Sequence, residues 1–291
     1  NVNRGGSKGN NTIQKDYFLP SLNLKYNLND KNSFRLGVSK TYTLPQAKEI
    51  SPYRYVGVNF NSQGNPNLKP SDHYNLDLKW DFNLTPTELI SLTAFYKLIK
   101  NPISRIEVAS AGGYLSYENI ADKATVAGVE IEIRKNLFVR PVSNAAHGMN
   151  KLSLGLNGSY IYTNAKMPLA TVTTGSQLEG AAPWIVNFDL SHNFTKGERS
   201  FVNTLVLNYV SDKIYTIGTQ GYQDMMEQGV LTLDFVSQAK LNKHLSLNLK
   251  ARNLLNPSYK LSRKANENGE KVILNDYKKG INISLGVSCT F

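Results

Sequence analysis

Four histidines (His73, His147, His192 and His244), one cysteine (Cys289) and a set of loop tyrosines are the side chains of this 291-residue chain from which chemistry could be built. Histidine-assisted hydrolysis needs a neighbouring acid or serine at a place that substrate reaches. The strand pattern read below puts His147 and His244 in short connections, His192 on an apolar face, and His73 alone at the start of a strand. No nucleophile–base pair assembles, so no catalytic residue is assigned and the chain does not read as an enzyme. The same scatter leaves no histidine metal site, Cys289 has no partner thiol, and no cofactor is implied. What remains are long, polar, aromatic segments able to hold a ligand. The candidate contacts are Tyr53, Arg54 and Tyr55 in SPYRYVGVNFNSQG, Tyr114 and Tyr117 in ASAGGYLSYEN, and Tyr215 and Tyr222 in IYTIGTQGYQDMMEQ. For each of them the competing reading is loop packing.

The elements that must position these residues are strands. Apolar and polar side chains alternate with period two along much of the chain, the mark of a strand whose two sides face different surroundings. In the last segment Ile281, Ile283, Leu285, Val287, Cys289 and Phe291 fall on one face, and Asn282, Ser284, Gly286, Ser288 and Thr290 on the other. Strands are predicted to start near residues 17, 34, 73, 89, 124, 151, 184, 201, 230, 245 and 281. Short connections (29–33, 84–88, 195–200, 242–244) alternate with long ones (46–72, 109–123, 166–183, 216–229, 256–280). Residues 139–150 depart from this, being longer than a short turn should be.

Charge placement decides what the two faces meet. Lys25, Arg35, Asp77, Lys79, Lys97, Glu130, Glu132, Arg134, Asp189, Asp234, Lys240, Lys250 and Arg252 share the polar parity, which suits a wet lumen and not a dry core. Lys40 is the one charge expected on the apolar face, near a strand end where it can snorkel. Aromatics of apolar parity gather at two levels. Tyr26, Phe34, Trp80, Phe82, Phe194, Phe201 and Phe291 lie by the short turns, and Tyr42, Tyr74, Tyr160, Tyr162 and Trp184 nearer the long loops. These read as interfacial girdles. The expected fold is therefore all-β: a transmembrane antiparallel β-barrel of the bacterial outer membrane.

No apolar run is long enough for a helical span, and NVNRGGSKGNN lacks the core of a signal peptide. The formal charge of +11 comes from basic residues scattered along the chain, which argues against nucleic acid and for contact with outer-membrane lipid and lipopolysaccharide. Eleven strands is an odd number, whereas bacterial single-chain barrels have even counts. The chain is accordingly expected to be the C-terminal part of a larger barrel, with residues 1–16 in an outer loop and the preceding strands missing.

Several segments carry a more specific signal. GNPNLKPSDHYNLDLKWDF (64–82) resembles the loop-to-strand segment of TonB-dependent receptors, in which a Gly-Asn-Pro-x-Leu-Lys-Pro turn leads into a strand. YENIADKATVAGVEIEI (117–133), LEGAAPWIVNFDLSHNF (178–194) and ARNLLNPSYK (251–260) are similar to further strand-flanking segments of that family, in family order. SKTYTLPQ (39–46) looks like the variant found in receptors of the Bacteroidota. Physically, Pro66 and Pro70 fix φ while Gly64 and Asn65 tolerate turn conformations, and Gly128 leaves room for a close neighbour.

The resemblance implies about eleven C-terminal strands of a 22-stranded barrel whose plug domain and N-terminal strands lie outside residues 1–291. It implies import of a scarce ligand with energy supplied by TonB through the missing N-terminal region. Phe291 resembles the terminal signal read by the barrel assembly machinery. A passive porin or an autotransporter translocation barrel is the alternative, but neither carries the GNPNLKP segment.

Overall fold

The computed structural model describes residues 2–4, 7–9, 16–108, 113–142, 148–167, 177–265 and 269–290. The alternating segments form one antiparallel meander of eleven strands: β1 (Ser21–Asn27), β2 (Asn32–Thr43), β3 (Ser71–Thr85), β4 (Glu88–Lys100), β5 (Lys123–Pro141), β6 (Met149–Ala165), β7 (Trp184–Lys196), β8 (Arg199–Val210), β9 (Val230–Lys240), β10 (Leu245–Arg252) and β11 (Asn282–Cys289). Each pairs with its sequence neighbour, and β1 and β11 form the two open edges. Val2–Arg4 pairs with Ser7–Gly9 outside this sheet. Phe291 and His147 lie outside the described residues.

Ladder registers bring the two faces together as the alternation predicts. Tyr26 faces Phe34, Phe34 faces Trp80, Leu36 faces Leu78 and Val38 faces Leu76. This side is uncovered: Leu78 is 52 % exposed and Leu285 72 %. A continuous apolar surface of that extent is a membrane contact. Trp184 and Phe194 mark its two margins on β7. Ten residues at about 3.3 Å each, tilted by about 40°, span about 25 Å, the height of an outer-membrane apolar band. Cross-strand aromatic pairs hold the margins, Tyr160–Trp184 at 4.7 Å and Phe194–Phe201 at 6.3 Å.

The register also corrects the expectation that Lys40 is the only charge on the apolar side. Asp72, Glu88, Lys100, Lys123 and Lys135 share its parity. Asp72, Glu88, Lys100 and Lys123 sit at strand ends, and Lys135 lies on β5 beyond its last β4 partner, level with the start of β4. At the short-turn rim Lys135 pairs with Glu88 at 3.0 Å. On the opposite, polar face Asp81 is buried with Arg35 at 3.7 Å and Lys79 at 3.4 Å.

Of the residues 139–150 read as one connection, Val139–Pro141 continue β5 beyond its last β4 partner at Arg134 and pair with Met149–Lys151 of β6, so the ladder takes in both ends of that segment, and residues 143–147 lie outside the described residues. Leu137 bulges out between Asn136 and Phe138 where the register shifts. Conversely, the strand expected from 89 onward stops at Lys100. Asn101 has φ 51° and Pro102 cannot donate to a ladder, so the chain turns there into a separate hairpin, Ile103–Val108 with Tyr114–Asn119.

The buried apolar core lies at the long-loop rim and not in the wall. Ile106, Ile120, Ala124, Ala165, Leu178, Ile214 and Ile217 cluster where three loops meet the ends of β5 and β6.

Candidate ligand-binding site

The long connections carry strands of their own. Arg54–Tyr55, Ser62–Gln63, Tyr114–Asn119 and Ile103–Val108 make one four-stranded sheet, and Lys213–Thr216, Met225–Glu227, Ser258–Lys264 and Lys271–Lys278 make another. A parallel bridge between Ile106 and Ile217 joins them. There the Glu107 N–H donates to the Ile217 carbonyl at 3.1 Å, and the Ile217 N–H to the Arg105 carbonyl at 3.0 Å. Arg263 is ion-paired with Glu107, whose carbonyl accepts the Thr219 hydroxyl. Four loops are thus tied into one layer.

The motif segments hold this layer down. In GNPNLKP the Asn65 N–H donates to the Glu49 carbonyl at 2.6 Å, and its Nδ2 to the Tyr117 carbonyl at 3.0 Å. The Lys69 N–H donates to Asn119 Oδ1 at 2.8 Å, and Asn119 Nδ2 returns bonds to the carbonyls of Lys69 and Asn101. Gly64 does not have a left-handed φ, contrary to the turn role expected of it. It is small because the Ser51, Lys48 and Glu49 carbonyls, at the end of the short helix Ala47–Ile50, crowd its α-carbon. Asn253 and Asn256 take positive φ and clip the Gly280 backbone beside β11.

From the LEG segment, Glu179 reaches across to Arg105. Its Oε1 accepts from the guanidinium Nη2 at 2.8 Å and Nε at 3.2 Å, while Oε2 takes the Arg105 backbone N–H. Burial raises the Glu179 carboxyl above its ordinary value despite those donors. Burial also works against the Arg105 charge, but Glu179 more than offsets it, so that the guanidinium is held still more firmly protonated. Burial likewise raises the Tyr117 phenol, which stays neutral near pH 7.

A raised folded-state value contributes stability that is complete below the ordinary carboxylate range and is lost as pH rises through the raised value. Acid should therefore not open this clamp. Amide exchange at residues 103–108, corrected for intrinsic rate, is expected to be no faster at pH 5 than at pH 7. Glu179→Gln should be mild, whereas Glu179→Ala, which strands a half-buried guanidinium, should cost about 2–3 kcal/mol locally.

Among the loop strands lie two recesses that share Asn59, Phe60 and Tyr215. One, about 200 Å³, adds Lys48, Arg105 and Tyr117, and the other, about 530 Å³, adds Tyr259, Lys260 and Tyr277. The Arg105 guanidinium sits 4.2 Å from the Tyr215 ring centroid, and Phe60 lies 6.4 Å from the same ring. Of the residues selected by sequence, Tyr117 and Tyr215 meet here. Tyr114 lines a third recess of about 350 Å³, which also includes Asn59 and Phe60, and is faced by Arg54 at 5.7 Å. Tyr53 and Tyr55 are exposed, with Lys48 over the Tyr55 ring at 5.4 Å, and Tyr222 faces Arg263 at 5.2 Å. Arg105, Phe60, Tyr259 and Tyr277 were not anticipated. The Asn-Pro pair at 101–102 was the available sign that Arg105 leaves the wall.

His73 is not alone, since its Nε2 lies 2.9 Å from Thr43 Oγ1. Among the described residues no group of three His, Cys, Asp or Glu side chains could hold a metal ion. The recesses offer stacking rings, cations and amides, and the larger one also the Glu227 carboxylate.

Comparison with known proteins gives this geometry its context. A family model described as "TonB dependent receptor-like, beta-barrel" matches residues 1–254. The iron-regulated outer membrane virulence protein of Vibrio cholerae is 25 % identical over 240 residues, covering 79 % of this chain and 34 % of that protein. Among solved structures, the ferric enterobactin receptor PfeA of Pseudomonas aeruginosa in complex with enterobactin aligns with TM-score 0.58 at 17 % identity, over 94 % of this chain and 40 % of that one. The ferric yersiniabactin uptake receptor FyuA of Yersinia pestis aligns with TM-score 0.59 at 16 % identity, over 94 % and 37 %. The chain thus spans little more than a third of the length of its relatives.

Proposed function

Because the chain belongs to the TonB-dependent receptor-like β-barrel family, a family of outer-membrane transport receptors and not of enzymes, we propose that it supplies part of the wall and ligand-binding loops of a receptor for an anionic, aromatic iron chelate. The observation that carries this reading is the convergence of Phe60, Tyr215 and Tyr117 with Lys48 and Arg105 in one recess among the long loops. Flat rings stack on aromatic faces, and cations offset a chelate's negative charge. The iron-regulated relative in Vibrio cholerae supports the same choice among scarce nutrients. In the full-length protein, import would draw on TonB through a plug domain encoded upstream, and β1 and β11 would pair with the remaining strands of a larger barrel. The resemblance of SKTYTLPQ to Bacteroidota receptors stays a proposal about origin.

The test is ferric-catecholate binding to the full-length receptor, followed by fluorescence quenching. Tyr215→Ala removes the ring shared by both recesses and should weaken binding about tenfold, which is about 1.4 kcal/mol. Exposed Tyr53→Ala should leave affinity unchanged. Equal affinities for Tyr215→Ala and wild type would sink the assignment.

A further inference from the structure

The lipid-facing side of the sheet carries a rank of lysines at its outer margin. Lys100 on β4 stands directly opposite Lys123 on β5. The β5–β6 ladder ends with Ala124 opposite Ala165, and Lys166 is the first residue past the end of β6, next to the level of Lys123. Two strands away on the other side, Lys40 of β2 faces Tyr74 of β3. The Lys40 and Lys100 ammonium groups lie 5.6 and 5.3 Å from the Tyr74 ring centroid, so that both flank one aromatic ring. Lys40, Lys100 and Lys123 have apolar-face parity, Lys166 continues that alternation one residue past β6, and Lys100, Lys123 and Lys166 are exposed.

This arrangement has an unfavourable charge balance. Like charges directly opposed across an antiparallel ladder repel, and near a membrane surface water screens them less than in bulk. Among the described residues none of the four ammonium groups has a carboxylate within 4 Å. Asp72, opposite Lys100, is the one acidic side chain in the same rank. At the other rim the corresponding cation, Lys135, is matched by Glu88 at 3.0 Å. The outer rank is therefore short of negative charge on the side that touches lipid.

Its level indicates what supplies that charge. The lysines sit at or just beyond the outer aromatic belt of Tyr42, Tyr74, Tyr160, Tyr162 and Trp184, where long stems can lie along apolar surface with their heads among lipid headgroups. Adjacent strands are about 4.8 Å apart, so Lys100, Lys123 and Lys166 span about 10 Å, the width of a headgroup rather than of a single ion.

We propose that Lys40, Lys100, Lys123 and Lys166 form a site for the phosphate groups of a phosphorylated glycolipid in the outer leaflet, seated against the Tyr74 ring. These residues lie on the bilayer side of the wall, away from the recesses among the loops, so the site is independent of the imported ligand.

The test purifies the full-length receptor in non-ionic detergent from native outer membranes and measures lipopolysaccharide retained per protein by mass spectrometry. The triple variant Lys100→Gln, Lys123→Gln, Lys166→Gln should bind that lipid roughly 100-fold more weakly and lose it on washing. Replacement of the same three residues by Arg should retain it, and Lys97→Gln, on the lumen face of the same strand, should match wild type. If the triple variant fails to assemble, judged by heat-modifiable gel mobility, the single Lys123→Gln variant and the Arg version give the same comparison. Lipid retention by the Gln variants equal to wild type overturns the proposal. So does displacement of the lipid from wild type by millimolar inorganic phosphate, which would make this a site for the free anion.

Discussion

Gly64→Ala is expected to open the loop layer while leaving the barrel wall in place. An added Cβ would lie 2.4 Å from the Ser51 carbonyl oxygen, 2.6 Å from that of Lys48 and 2.7 Å from that of Glu49. All three are backbone atoms, so no rotamer change relieves the contact. The helix end must shift, and with it the Asn65 bonds to Glu49 and Tyr117. A cost of about 3 kcal/mol follows for a backbone clash of this kind. Since the strain is local, it should appear as roughly 100-fold faster amide exchange at residues 65–70 and 114–119, with protection in β3 and β4 unchanged. Ligand binding should weaken in step, because Tyr117 and Phe60 hang on the same scaffold. Unaltered exchange in those two segments would refute the crowding argument.

The second large effect is expected in the wall. Gly128 of β5 faces Phe95 of β4 across the ladder. A Cβ there would meet Phe95 Cζ at 2.4 Å and the Tyr160 carbonyl oxygen at 2.4 Å. The ring can move, whereas the carbonyl belongs to the β6 ladder. Gly128→Ala should therefore destabilise by about 2–3 kcal/mol in urea titrations of the full-length barrel in vesicles. Removing the ring as well, in Phe95→Ala/Gly128→Ala, should recover only part of that loss. Complete recovery in this double-mutant cycle would place the whole clash on the side chain.

The difference between these two glycines reflects what a sequence can carry. Gly128 was readable, because a glycine among alternating strand residues marks a close approach from a neighbour. The bilayer imposes alternation on every spanning segment, so all eleven wall strands were legible, including the flawless last one. Errors fell where lipid no longer dictates the pattern. The strand expected near residue 17 begins at Ser21, after Pro20, which has no N–H for a ladder. The charges at strand ends were assigned by a parity read only within the hydrocarbon.

The loops were far less legible. Their strands are two to eight residues long and pair at a distance, Leu115 with Ser62 and Ile106 with Ile217. No local period encodes a partner 50 or 100 residues away. Tyr117 and Tyr215 were selected for their ring type alone. Arg105 was missed because its segment was read as a continuation of the wall, and Gly64 was assigned a turn because its crowding arises from a helix that sequence did not show.

The Ile106–Ile217 bridge has a consequence outside transport. The hairpin Ser258–Lys278 presents its Lys271–Lys278 strand as the outer edge of the second loop sheet, with Val272, Ile273 and Tyr277 about half exposed. An antibody fragment that grips this edge touches none of the residues of the smaller recess. Yet hairpin, bridge and the Arg105 strand are mechanically in series, so the grip works as a lever: immobilising the edge stiffens the recess, and prising it outward distorts it. Epitopes outside the smaller recess would then interfere with chelate capture without covering it.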